Sequence, residues 1–141
     1  MVITMDTNVL YSALNSKSGA SHLVFRLIIE EKLNLAISVQ TYFEYYEVLT
    51  RPQSQRMLRL SKEEIEDVLD LLALLAKKHS IYYLMRPNLI DEDDNIFVEC
   101  AFSSNSEYLI TSNIKDFKSG ELKGFPFQVL TPGEFLKNWR E

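Results

Sequence analysis

Short apolar segments alternate along the chain with longer stretches in which apolar residues recur at helical spacing. The short segments are almost continuously apolar, which is typical of strands that are buried on both faces of a parallel sheet. They cover residues 2–6, 34–38, 80–84, 107–111 and 127–130. This alternation predicts an α/β protein, a three-layer α/β/α sandwich with a mainly parallel central sheet.

Three of the intervening stretches predict well-defined helices, at residues 21–31, 41–49 and 61–78. The second ends before Pro52, since the residue preceding a proline avoids the helical region. The third begins with a capping-box pattern, in which Ser61 and Glu64 each satisfy a free backbone amide. A further helix begins near Asn8.

The third helix is more apolar than a helix with one buried face requires. Between Val68 and Ala76 only Asp70 interrupts the apolar residues. The aromatic side chains between Tyr42 and Tyr46 add apolar groups that we expect to be exposed. These features predict association through an apolar surface, in a homodimer or with a partner protein.

Composition is ordinary for one globular domain covering residues 1–141, with 46% hydrophobic and 25% charged residues. Cys100 is the single cysteine and lies in an apolar stretch, so we interpret it as a small core residue in a reducing compartment. No basic and apolar leader precedes the first strand, and the longest apolar run, Leu71 to Ala76, is too short for a membrane span. We therefore expect a cytoplasmic protein.

The formal charge of −5 argues against a passive nucleic-acid binder, because affinity for phosphates comes mainly from lysine and arginine. It leaves room for a metal-dependent nuclease, in which cations offset clustered acids and local basic groups meet the nucleic-acid backbone. One basic group comprises Arg51, Arg56, Arg59 and Lys62, although solvated surface charge explains it equally well.

Acidic side chains recur where predicted strands or turns lead into helices. They are Asp6, Glu44, the cluster of Asp91, Asp93 and Asp94, and Asp116. Open α/β sheets hold their ligands at the carboxyl ends of strands, and Mg²⁺ or Mn²⁺ prefers oxygen ligands. The pattern therefore predicts a carboxylate site for a divalent cation.

Each acid also has a purely structural explanation. Asp6 is a favourable helix N-cap, an exposed glutamate is common on helices, and acids in a first helical turn complement the macrodipole. We favour Glu44 over Glu47, the reserve candidate, because its aromatic neighbours suggest a partly buried carboxylate. Asp94 is preferred in its cluster, with Asp91 and Asp93 in reserve.

Polar neighbours of these acids are predicted to support the site. Thr7 and Asn8 can hold a carboxylate or a water molecule in place. Thr111 and Asn113 lie in a second junction between a strand and a turn, together with Asp116. His22 and His79 fall outside the acidic motifs and are interpreted as surface or packing residues.

Four segments together resemble the PIN-domain nucleases over nearly the whole chain. They are Met5-Asp6-Thr7-Asn8-Val9-Leu10, Glu44-Tyr45-Tyr46-Glu47-Val48-Leu49 with Arg51-Pro52, Asp91-Glu92-Asp93-Asp94-Asn95-Ile96-Phe97, and Tyr108-Leu109-Ile110-Thr111-Ser112-Asn113 leading to Lys115-Asp116-Phe117. The segment Leu130-Thr131-Pro132-Gly133-Glu134-Phe135-Leu136 closes the pattern.

This resemblance implies an α/β/α PIN fold and hydrolysis of RNA phosphodiesters with Mg²⁺ or Mn²⁺. It also implies a role as the toxin of a VapBC-like pair, with an antitoxin protein as partner. By position, the catalytic and metal-binding acids would be Asp6, Glu44, Asp94 and Asp116. Many family members have an aspartate where this chain has Asn113, so that position is weakened or replaced by Asp116.

Two other functions stay open at this point. A PIN-like fold could serve as a protein-interaction module whose acids only cap helices. A metal-dependent phosphatase with an aspartyl nucleophile would resemble its class through a second aspartate two residues after the first, and Asn8 stands there.

Overall fold

The computed structural model describes residues 1–83, 96–117 and 126–139, with only the backbone of Tyr82, Tyr83 and Asp116. The strands are β1 Val2–Met5, β2 Asn34–Leu35, β3 Ile37–Ser38, β4 Tyr82–Tyr83, β5 Tyr108–Ile110 and β6 Gln128–Leu130. The helices are α1 Thr7–Asn15, α2 Ala20–Ile29, α3 Val39–Leu49, α4 Pro52–Leu58, α5 Lys62–Lys78, α6 Ile96–Ser103 and α7 Pro132–Asn138, with a 3₁₀ turn at Ile114–Phe117.

Every strand pair in the described chain is parallel, which confirms the predicted sheet. Strands β2, β1, β5 and β6 lie side by side in that order, and β3 pairs with β4. The predicted strand 34–38 changes partner in its middle, because the amide of Ala36 bonds to Ile3 (2.9 Å) and the amide of Ile37 bonds to Ile81 (3.0 Å). Successive strand amides point to opposite sides, so this segment joins the two sheets.

Helices cover the sheet, as the three-layer prediction requires. Helix α6 packs against β1 and β5, α5 packs against β2, and α3 packs against both of these helices. Helix α2 packs against both α1 and α7, and α7 also contacts β6. Strand residues Ile3, Met5, Leu109 and Ile110 are completely buried, which explains why the strand segments are continuously apolar.

Helix ends differ from the predictions by a few residues, for reasons visible in their caps. Helix α2 ends at Ile29 because Glu31 adopts a left-handed conformation (φ 60°). Helix α3 begins at Val39, since the Ser38 hydroxyl accepts from the Thr41 amide and the Thr41 hydroxyl accepts from the Ser38 amide. Helix α4 was not predicted, and Pro52 occupies its first turn, where no amide is required.

The predicted α5 is confirmed, including the reciprocal bonds between Ser61 and Glu64. Its outer face exposes Leu71 and Leu74, of which 41% and 64% are accessible to solvent. In contrast, the prediction of exposed aromatic residues on α3 was partly wrong. Phe43 is 61% exposed, but Tyr45 is completely buried.

Cys100 lies in the core, as predicted, and its thiol donates to the carbonyl oxygen of Ala36 (3.7 Å). Burial raises the pKa of this thiol to about 11, while hydrogen bonds from neighbouring groups oppose the shift. The thiol is therefore neutral and unreactive near pH 7. None of the described helices combines the length and the apolar character that a bilayer crossing demands.

Candidate functional site

Asp6 stands where β1 ends and α1 begins, and several donors fix its carboxylate. Oδ1 accepts from the Thr7 amide (2.8 Å), which makes Asp6 the N-cap of α1. Oδ2 accepts from the Thr111 hydroxyl (2.8 Å) and, at longer range, from the side-chain amide of Asn8 (3.4 Å). Hydrogen bonds from neutral donors stabilise the charged carboxylate and orient it at the strand end.

The turn after β5 is tied to the same carboxylate. Thr111 is fully buried, and its hydroxyl accepts from the Asn113 amide (3.1 Å) while it donates to Asp6. The Ser112 amide donates to Oδ1 of Asn8 (3.2 Å). The side chains of Asn8 and Thr111 thus connect the ends of the adjacent strands β1 and β5.

Thr7 contributes differently from what was predicted for its side chain. Its backbone amide holds Asp6, whereas its hydroxyl oxygen is buried and has no hydrogen-bond partner among the described residues. Asn113 is exposed, and its backbone amide is the group that bonds to Thr111.

Tyr45 connects α3 to the end of β1. Along this edge of β1, the amides of Asn34 and Ala36 bond to the carbonyl oxygens of Met1 and Ile3. Continuing this series, the Ser38 amide would bond to the carbonyl oxygen of Met5. It bonds instead to the Thr41 hydroxyl in the cap of α3.

The Tyr45 hydroxyl donates to the carbonyl oxygen of Met5 at this point and takes the place of a sheet hydrogen bond. Burial raises the pKa of Tyr45 well above its usual value, and the charge of Asp6 adds to the shift, so the hydroxyl stays a neutral donor. Glu44 precedes Tyr45, and the helical turn that carries it therefore lies against the strand end that carries Asp6.

The environments of the two α3 glutamates differ. Glu44 is half-buried, in agreement with the expectation from its aromatic neighbours. Glu47 is exposed, and its carboxylate pairs with the Arg51 guanidinium at 2.8 and 3.1 Å. An exposed ion pair of this kind explains Glu47 without any ligand.

The remaining predicted acids are not defined by the structure. Asp91, Asp93 and Asp94 lie outside the described residues, and of Asp116 only the backbone is described, in the 3₁₀ turn. Within residues 1–83, 96–117 and 126–139, no three His, Cys, Asp or Glu side chains are arranged to hold a metal ion. The metal-binding roles of the four acids stay a prediction.

Glu99 is a candidate that the sequence analysis passed over. It is the single charged residue of α6, which packs against α3 and β1, and both of its carboxylate oxygens are inaccessible to solvent. The sequence did contain a signal for this site, a single charged residue in a largely apolar helix. Burying a carboxylate is costly unless other groups compensate, so such a residue often has a role.

The histidines lie away from this site, as predicted. Nδ1 of His22 bonds to the carbonyl oxygen of Ala13 (2.9 Å) and joins α2 to α1. His79 and Lys78 both contact the carboxylate of Glu31, at 3.0 and 2.7 Å, and together they lower its pKa, with Lys78 the larger cause.

The residues around Asp6 fit a hard divalent cation in their chemistry. The donor set is oxygen-rich, and the Asp6 carboxylate is held in place by neighbouring donors, as ligating carboxylates usually are. Glu44 lies beside Tyr45 on the helical turn that is fixed to the end of β1.

Comparison with known proteins identifies a family over most of the chain. Residues 2–115 match the family model described as PIN domain. The uncharacterized protein MJ1680 of Methanocaldococcus jannaschii is 26% identical over 151 residues, which cover 99% of this chain and 92% of that protein.

A solved structure shows the same fold. A chain in the crystal structure of VapBC2 from Rickettsia felis, bound to a DNA fragment from its promoter, is 18% identical to this chain with a TM-score of 0.52. The match covers 92% of this chain and 97% of that chain.

Proposed function

Because the chain belongs to the PIN-domain family, a family of nucleases, we propose that it is a divalent-metal-dependent endoribonuclease that hydrolyses RNA phosphodiester bonds. We treat residues 1–141 as a single nuclease domain. The observation that carries the proposal is the fixed carboxylate of Asp6, which receives donors from both α1 and the turn after β5. A residue that only capped a helix would not need the second contact, from Thr111.

The proposed ligands of Mg²⁺ or Mn²⁺ are Asp6, Glu44, Asp94 and Asp116. When bound, such an ion lowers the pKa of a coordinated water and stabilises charge on a phosphate. Thr111 and the Thr7 amide hold the Asp6 carboxylate in one orientation, and Tyr45 fixes the turn that carries Glu44 to the end of β1. The side chain of Asn113 would offer a neutral oxygen where many relatives have an acid.

Exposed basic residues supply contacts for an RNA backbone in spite of the negative net charge. Helix α4 packs against both α1 and α3, the two helices that carry or adjoin Asp6 and Glu44. Arg56 and Arg59 are exposed at its end. We infer that they contact phosphates of the substrate, so Arg56→Glu should raise KM and leave kcat nearly unchanged.

Cleavage of a mixed RNA pool in Mn²⁺ tests the proposed activity. Asp6→Asn should lower the rate at least about a hundredfold, since cation stabilisation of a phosphate is worth several kcal/mol. The matched control is Glu107→Gln, which removes an exposed carboxylate at the opposite edge of the same sheet. A chelator should abolish the products, and products that persist in Asp6→Asn would contradict the assignment.

Calorimetry with Mn²⁺ separates this proposal from a catalytically inactive interaction module. A nuclease should lose Mn²⁺ affinity on Asp6→Asn or Glu44→Gln and keep it on Glu47→Gln, because Glu47 is already paired with Arg51. Equal weak binding by all four proteins would favour the interaction module.

We further propose that the chain is the toxin of a type II toxin–antitoxin pair and acts on cytoplasmic RNA. Support comes from the similarity in fold to a chain of the VapBC2 complex. Induction of the chain should arrest growth of a bacterial host, and Asp6→Asn should not. Arrest that is unchanged in this variant would show that the toxicity does not depend on RNA hydrolysis.

A further inference from the structure

The side chain of Thr7 carries a buried hydroxyl that forms no hydrogen bond. Thr7 is 7% exposed, and its hydroxyl oxygen is shielded from solvent and has no partner among the described residues. A hydroxyl in this state destabilises the folded chain, because burial removes its hydrogen bonds to water and nothing replaces them. Valine has nearly the same shape without the polar atom, so packing alone does not account for a threonine at this position.

The carboxylate of Glu44 has the complementary deficit. Glu44 is half-buried, yet no donor among the described residues bonds to its carboxylate. Asp6, in contrast, receives hydrogen bonds from the Thr7 amide and from the Thr111 hydroxyl. Carboxylates that bind metal ions are normally oriented by such donors. Glu44 therefore lacks the support that Asp6 has.

The fold brings Thr7 and Glu44 to the same junction. The hydroxyl of Tyr45 donates to the carbonyl oxygen of Met5, and α1 packs against α3. Glu44 directly precedes Tyr45, and Thr7 follows Met5 by two positions. A donor without an acceptor and an acceptor without a donor thus lie on opposite sides of one hydrogen bond.

We propose that Thr7 is a positioning residue of the nuclease site, and that its hydroxyl donates to the Glu44 carboxylate when the site is loaded. A threonine in a helix has two accessible χ1 rotamers, and rotation between them exchanges its methyl group and its hydroxyl within nearly the same volume. The bond forms only in the loaded state, so it contributes to ligand affinity and not to the stability of the free chain. This inference rests on the proposed function.

Two substitutions of Thr7 separate this role from a purely structural one. Thr7→Val removes the hydroxyl and keeps the shape, so the metal-free chain should be at least as stable as wild type, while Mn²⁺ affinity should fall about tenfold or more. Thr7→Ser keeps the hydroxyl and removes a methyl group, so stability should fall while Mn²⁺ affinity stays within about threefold of wild type. Urea denaturation and calorimetry give the two values. Unchanged Mn²⁺ affinity in Thr7→Val would overturn the proposal.

Thr4→Val is the matched control, because the Thr4 hydroxyl is also buried but is hydrogen-bonded to the Ser106 hydroxyl (2.9 Å). Here the same substitution should lower stability and leave Mn²⁺ affinity unchanged. An equal loss of Mn²⁺ affinity in Thr4→Val and Thr7→Val would show a general effect of removing a core hydroxyl. That result would also overturn the proposal.

A double-mutant cycle tests whether Glu44 is the acceptor. Glu44→Ala removes the carboxylate, so Thr7→Val should cause no further loss of Mn²⁺ affinity in this background. Additive losses would refute the assignment of Glu44.

Asp6→Asn in the same titrations separates the role of Thr7 from the proposed function. If Asp6→Asn lowers Mn²⁺ affinity and Thr7→Val does not, the role of Thr7 is refuted and the proposed function stands. If neither substitution lowers it, both are refuted.

Discussion

Tyr45→Phe removes one oxygen atom from the core and with it the donor that replaces a sheet hydrogen bond at Met5. The Ser38 amide does not replace this donor, because it already bonds to the Thr41 hydroxyl in the cap of α3. The aromatic ring stays in place, so its packing against Phe97 (5.8 Å between ring centroids) is retained. The substitution therefore isolates a single polar contact.

The expected loss of unfolding free energy is about 1.5 to 3 kcal/mol. A typical hydrogen bond contributes about 1 kcal/mol net, and an acceptor left unsatisfied in the interior costs about 1 to 3 kcal/mol. Tyr45 is 0% exposed, so water cannot take over the bond without opening the junction of α3 and β1. A truncation to alanine would add a cavity and cost roughly 3 to 5 kcal/mol.

Urea denaturation measures the change, provided that the slope with denaturant stays constant. Tyr108→Phe is the control, because Tyr108 is half-buried and its hydroxyl makes no hydrogen bond to the described residues. The control should stay within about 0.5 kcal/mol of wild type. An equally small change for Tyr45→Phe would refute the inference that this hydroxyl fastens α3 to β1.

Two further predictions concern buried groups. Thr111→Val removes the donor to Asp6 and the acceptor for the Asn113 amide, so stability should fall by about 1.5 to 3 kcal/mol and Mn²⁺ affinity by roughly ten- to a hundredfold. Denaturation measures the stability and calorimetry measures the Mn²⁺ affinity. A Thr111→Val protein with unchanged stability and unchanged affinity would contradict the role of Thr111 in positioning Asp6. Between pH 9 and about 11 the Cys100 thiol ionises in the unfolded chain before it does so in the folded one, so the folded state should lose about 2 to 3 kcal/mol over this range. Denaturation of Cys100→Ala, which lacks this thiol, should show a correspondingly smaller loss, and identical pH profiles would be inconsistent with the raised pKa.

Much of the fold was predictable because the local sequence signals for strands and helices agree with the burial pattern of the folded chain. The strands were found since both faces of the sheet are covered, which leaves no room for polar residues within them. Helix α5 was placed correctly from its capping box and its basic end, both of which act within one helical turn. Helix α4 was missed, since Pro52 was interpreted as an end of structure and not as the start of a new helix.

Exposure was harder to predict than secondary structure. The aromatic run on α3 gave no indication that Tyr45 would be buried while Phe43 faces solvent, because that depends on how the helix is rotated against β1. The same uncertainty applied to α5, in which Leu72 is buried and Leu71 is exposed. Neighbouring residues of one helix differ in direction by about a quarter turn, and only packing fixes that direction.

The sequence by itself determined the alternation of elements, the parallel sheet and the position of Asp6 at a strand end, because each depends on residues close together in the chain. The tertiary structure decided which distant groups serve that carboxylate. Thr111 is 105 residues away from Asp6, and Tyr45 is 40 residues away from the carbonyl group of Met5 to which it donates. Such contacts depend on register and rotation, which are set by the packing of the whole core and not by any local pattern.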